Sequence, residues 1–170
     1  MNSKRANMKN VLLPYISYNH WANQQLTKAL LKLKPEQVDM TWGKAEISVR
    51  ELVKQLWTFE FSWYQRLLMV EKVVDPSAGF EGDFEGLCSR CLEQSALLEN
   101  WVNTATVARL DHTVAYTLKK NEHFKTSVRD VLLEVCNGSS LLRGQLIGLL
   151  QQIGVTRLPV IAYRSFKPKK

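Results

Sequence analysis

SVRDVLLEVCNGSSLLRGQLIGLLQQIG, residues 127–154, decides how the rest of the chain reads. Ser127, with Asp130 three residues on, makes a helix start at which a hydroxyl can accept an exposed backbone amide. Val131, Val135, Leu142, Leu146, Leu149 and Ile153 then recur at helical spacing, and Gly154 supplies a C-terminal stop. This is a long amphipathic helix. Within it, Asn137-Gly138-Ser139-Ser140-Leu141-Leu142-Arg143-Gly144-Gln145 concentrates glycines, serines and an asparagine. A glycine in mid-helix costs about 1 kcal/mol against alanine. Gly138 lies on the same line as Val131, Val135 and Leu142, so the composition implies a close approach or the space of a vanished side chain.

Working outward, residues 9–33 carry an apolar stripe through Leu12, Tyr15, Ile16, Trp21, Ala22, Leu26 and Leu30, with Val11, Ala29 and Leu33 also at helical spacings. Pro14 fits a first turn, which would move the start later, and Lys34-Pro35 ends the helix. Residues 36–47 connect, with room for one short helical turn. Ser48-Val49-Arg50-Glu51 is a capping box opening a helix to about Val70, with Leu52, Leu56, Phe59, Trp63, Leu67 and Val70 on one face. Asp75-Pro76-Ser77-Ala78-Gly79 and Gly82 break the chain. A third helix spans roughly 84–104 through Leu87, Cys91, Leu92, Ala96, Leu97, Leu98, Trp101 and Val102. Between 105 and 126 the period shortens to two: Val114, Tyr116 and Leu118 alternate, Lys119-Lys120-Asn121-Glu122 turns, and His123-Phe124-Lys125 returns, a β-hairpin. Four long helices with one crossover segment predict an all-α four-helix bundle carrying a small hairpin between the last two helices, in one domain over 1–170.

The 170 residues are 45% hydrophobic, with 8 Gly and 5 Pro, which excludes a disordered or collagen-like chain. No stretch approaches the ~20 uncharged apolar residues of a membrane span, and the N-terminus lacks a signal-peptide pattern. Three cysteines are sparse and odd in number for a disulfide scaffold, which predicts a reducing cytoplasm. Of the 23 basic residues, seven (Lys4, Arg5, Lys9, Arg164, Lys167, Lys169 and Lys170) lie in 1–9 and 164–170, leaving 16 against the 16 acidic ones. The net charge of +7 thus sits at two ends expected to be solvated tails, and a nucleic-acid surface is disfavoured.

Nucleophile-elbow and phosphate-loop motifs are absent. Bundles of this kind build sites from inward side chains of facing helices. Gln55 stands on the buried stripe between Leu52 and Phe59, where an amide without a partner costs on the order of 1–3 kcal/mol. His20, His112 and His123 are the chain's histidines. His20 has no partner ligand at helical spacing. His112 and His123 flank the hairpin, where they could face each other, and read first as exposed. Cys88-Ser89-Arg90-Cys91 lies in the body of a helix with no second pair, so it reads as one core cysteine, Cys91, and one edge cysteine rather than a zinc or redox motif. Cys136 reads as a small hydrophobe beside Val135. Trp42, alone among the tryptophans, falls in a connection, where it packs on the loop or closes a pocket mouth.

Tyr18-Asn19-His20-Trp21-Ala22-Asn23, Ser48-Val49-Arg50-Glu51-Leu52-Val53, Phe59-Glu60, Asn137 and Arg143-Gly144-Gln145-Leu146, in this order, resemble the DinB-like (DUF664-type) bundles, which look related to thiol S-transferases. The resemblance implies a core divalent metal, such as nickel or zinc, on three histidines. One comes from the second helix in a Leu-x-x-His-Leu setting and two from the last helix as Asn-His-x-x-x-His-Arg-Gly-Gln. Two histidines four apart share a helix face, and a third across the bundle leaves an open position for an activated water or thiol. The matching positions here are Gln55, Gly138 and Leu142. Leucine and glycine give no side-chain donor, and a lone amide oxygen is a poor ligand for such an ion.

The expectation is therefore a DinB-like pseudoenzyme with no catalytic residue, cofactor or metal. It would bind a small apolar ligand or a partner, and be homodimeric as the resemblance implies. The candidate pocket comprises Gln55, Phe59, Gly138, Ser139, Leu142 and His20, with Arg143 and Gln145 as helix-to-helix hydrogen bonders. The rival reading is a thiol S-transferase or hydrolase working without metal, or with one placed elsewhere by His20 and acidic residues. A third is weak nucleic-acid binding through the basic ends.

Overall fold

In the computed structural model, which describes residues 2–44, 46–118 and 122–167, the first helix α1 runs from Asn2 to Leu30. It begins ahead of the expected start, and Pro14 sits inside it rather than in its first turn. A short α2 (Pro35–Asp39) fills the expected single turn of the connection. Then follow α3 (Val49–Leu67), α4 (Phe84–Thr104), a short α5 (Val107–Leu110), β1 (Thr113–Thr117), β2 (His123–Ser127), α6 (Val128–Gln152) and a 3-10 turn at Tyr163–Ser165.

The caps fall where the sequence places them. Ser48 Oγ accepts from Glu51 N at 3.2 Å and Ser127 Oγ from Asp130 N at 3.1 Å, each satisfying a donor that the first helical turn cannot. Lys9 Nζ donates to the Asn103 and Ala105 carbonyls at the end of α4, where a cation is favoured. One of the expected tail charges is thereby built into the bundle. Of that expectation's other residues, Lys169 and Lys170 lie outside the described residues, as do Lys119, Lys120 and Asn121 of the hairpin turn.

The four long helices form a ring in which α1 packs on α4 and α6, and α3 on α4 and α6. The apolar core comes in two parts. One gathers Leu12, Ile16, Trp63, Leu98, Trp101 and Val131 at the hairpin end. The other gathers Leu26, Leu30, Leu52, Leu56, Leu87 and Leu146 at the opposite end. The antiparallel hairpin pairs Tyr116 with Phe124 and Thr117 with His123. It seats on the bundle through Tyr116, whose ring meets that of Trp63 at 5.3 Å. Val11 and Leu97, counted in the expected stripes, are exposed, as is Val70, which lies beyond the end of α3. No helix among the described residues is long and apolar enough to cross a membrane.

After α6 the chain returns across α1. Tyr18 donates its hydroxyl to Ile161 O at 2.8 Å, and the Phe166 ring lies 5.7 Å from Trp21 and 6.0 Å from Tyr18.

Candidate functional site

A layer of polar side chains separates the two apolar clusters. Asn19 and Asn23, four apart on α1, share a face with Ile16, Leu26 and Leu30. Glu60 stands on α3 four residues after Leu56 and three before Trp63; Ser139 and Arg143 are again four apart, on α6. Glu60 and Arg143 are both fully buried. Glu60 Oε1 accepts from Asn19 Nδ2 at 2.8 Å, Asn23 Nδ2 at 2.9 Å and Ser139 Oγ at 2.8 Å. Arg143 Nη1 donates to the Oδ1 atoms of Asn19 at 2.7 Å and Asn23 at 2.8 Å, and Nη2 to Ser140 Oγ at 2.9 Å. The two asparagines thus carry the cation to the acid with no direct ion pair, and their amides are oriented by having a donor on one side and an acceptor on the other. Three helices meet here in one register, because a slip of any of them orphans several buried groups.

Burial pushes the Glu60 carboxyl above its usual value, while the Asn19, Asn23 and Ser139 hydrogen bonds and the Arg143 charge pull the other way. Its second oxygen, Oε2, has no hydrogen-bond partner. A carboxyl whose folded value is raised contributes stability that is present below its usual 4.5 and lost as pH rises through the folded value. Glu60→Gln keeps the accepting oxygen and carries no titratable proton. The variant is therefore expected to gain on the wild type in urea unfolding as pH is raised from about 4 to neutrality. A constant difference across that range means that Glu60 does not titrate with folding.

The positions expected to converge do so in part. Gln55, Phe59 and Leu142 line one shallow recess of about 390 Å³, together with Lys54, Thr58 and Asp75. Gly138 lies under the ring of Phe59. A Cβ there would fall against Phe59 Cζ, 2.5 Å from Cε1 and 3.0 Å from Cε2. Any side chain at 138 would therefore require the half-buried Phe59 ring to shift, and the ring fills the space that the sequence marked as vacated. Ser139 turns into the polar layer instead of lining this recess. His20 stands apart from it, in a groove between α1 and α4. The six residues expected in one pocket are thus divided among a recess, a polar layer and a groove.

The remaining candidates disperse. His112 and His123 lie at opposite ends of the hairpin, with His123 paired to Thr117 and His112 bonded through its carbonyl to Val128 N, so they do not face each other. Cys88 is buried like Cys91 and is no edge residue. Desolvation pushes the Cys88 and Cys136 thiols up to about 12 and Cys91 well above its usual value, which disfavours the thiolate. Among the described residues no three His, Cys, Asp or Glu side chains form a metal-holding group. Trp42 bridges to Ile47 in its loop and lines a recess with Leu52, Gln145 and Gly148, and Gln145 is exposed rather than bonded between helices. Arg143, by contrast, joins α6 to α1 as the sequence suggested.

Residues 8–168 match the family model described as the DinB family. The chain belongs to the DinB family. Its bundle is similar to the crystal structure of a DinB-like protein from Bacillus subtilis, with a TM-score of 0.59 at 15% identity over 91% of this chain and 97% of that one. At that identity the likeness shows the fold alone. No curated protein matches the chain.

Apart from Arg143, expected as a helix-to-helix hydrogen bonder, the polar layer of this DinB bundle is the part that sequence reasoning missed. Asn19, Asn23, Glu60 and Arg143 were each visible in the motifs. The signal was that all four break apolar stripes at core positions, where an unpartnered polar group is costly.

Proposed function

We propose that this chain is a non-catalytic DinB-family bundle that binds a small molecule or a partner. One observation carries the reading: the Phe59 ring packs on Gly138, at a position where the resemblance implies a metal-holding histidine. The neighbouring donor set agrees with it. Leu142 has no donor and Gln55 offers a single amide, a set that does not fit an ion of the nickel or zinc type. Thiols whose ionisation is disfavoured by burial, and a sequence without a nucleophile-elbow motif, also speak against nucleophilic chemistry.

The test is elemental analysis of protein purified without chelators and without a metal-affinity tag. The expected result is nickel and zinc far below one equivalent per chain. A stoichiometric metal that survives dialysis and is lost on His20→Ala or Gln55→Ala overturns the reading.

A further inference from the structure

We infer that the groove between α1 and α4 is the ligand site of this chain, and that it takes a small flat ring bearing hydrogen-bond donors and acceptors and no net charge. The inference rests on the binding part of the reading above and gives it a place away from the Phe59–Gly138 contact.

The groove is about 560 Å³, within the ~300–1,000 Å³ of small-molecule sites. Trp21 and Phe166 both line it, their rings 5.7 Å apart and tilted by 48°, which gives a planar ligand aromatic surface to lie against. Its polar lining is mostly neutral. Ser17, Gln24, Asn100 and Asn103 can each donate and accept, which matches a ring with both kinds of edge. Among the described residues its charged side chains, Glu99 and Lys167, are of opposite sign, so this lining favours neither an anion nor a cation.

The end of the groove at His20 is fixed in advance. Ser95 is buried, and its hydroxyl is given to Leu92 O at 3.1 Å, so its oxygen accepts from His20 Nδ1 at 2.8 Å. That tautomer leaves His20 Nε2 to accept from Gln24 Nε2 at 2.8 Å. The chain Ser95–His20–Gln24 holds an amide at the groove wall before any ligand arrives, which lowers the ordering cost of binding.

Amide NMR spectra of the full-length protein titrated with adenine, toluene and benzoate test this. Adenine is the neutral ring with donors and acceptors, toluene the apolar ring and benzoate the charged one. Saturable adenine shifts are expected at the Trp21 indole N–H and at the Asn100 and Asn103 side-chain amides, with affinity about tenfold above the other two probes. Ala96→Trp, at an exposed position in the groove, is expected to abolish them, and Asn100→Leu to erase the preference for adenine over toluene. No adenine shift, shifts that survive both substitutions, or tighter binding of toluene or benzoate overturns the proposal. Metal content stays as found in each case, so a failure of the groove is distinct from a failure of the non-catalytic reading.

Discussion

Arg143→Ala is expected to lower the unfolding free energy by about 3–5 kcal/mol, the range for removing one partner from a buried charged network. The guanidinium is wholly buried and donates to both asparagine oxygens as well as Ser140. Its removal leaves those two buried acceptors without donors and leaves Glu60 without the nearby cation that favours its charged form. It also empties the space of a long side chain between the two apolar clusters. Arg143→Lys is not a rescue. An ammonium is a point donor on a flexible stem and cannot reproduce a planar fork held by three partners, so a loss of at least about 2 kcal/mol is expected. Urea unfolding followed by circular dichroism measures both variants. An alanine variant within about 1 kcal/mol of wild type would show that the layer is dispensable to the fold.

The second large effect is Gly138→His, which puts an imidazole where the resemblance implies one. Even a single carbon there collides with three atoms of the Phe59 ring, and that ring is held against Trp63 at 6.4 Å. Overpacking of a formed core costs roughly 1–3 kcal/mol, and an imidazole in place of a hydrogen belongs at the upper end. In a Phe59→Ala background the ring's space is available to the imidazole. The two substitutions should therefore be non-additive, with a coupling of about 1–3 kcal/mol in favour of the double variant. Additive losses would mean that the two residues are not in contact.

The fold was legible because its signals are local. Capping by Ser48 and Ser127, the three- and four-residue apolar spacing, and the change of period around Val114 to Phe124 are each contained within one element. The start of α1 was not legible, since Pro14 invites a first-turn reading and the residues before Lys9 carry no apolar stripe to contradict it. The site was legible only by position along each helix. Periodicity assigns Gln55, Gly138 and Leu142 to inward faces, but it gives no indication of which neighbour each face meets. So His20, also part-buried on its helix, was grouped with residues that it does not approach. Gly138 announced an absent side chain, yet what replaces it, the ring of Phe59, comes from a helix about eighty residues earlier in the chain, and no local rule connects the two. The same holds for Asn19, Glu60 and Arg143: each is an anomaly on its own stripe, and only the three-helix geometry makes them one network.

The non-catalytic reading depends on the ring of Phe59 occupying the face of Gly138, and the sign of one substitution reports on it. Gly138→Ala adds about 1 kcal/mol of helix propensity wherever the new methyl meets open space. With the ring in place the clash outweighs that gain, so urea unfolding is expected to show Gly138→Ala destabilising the wild type and stabilising the Phe59→Ala variant. A wild-type chain made more stable by Gly138→Ala would contradict the account, because the space beside Gly138 would then be open.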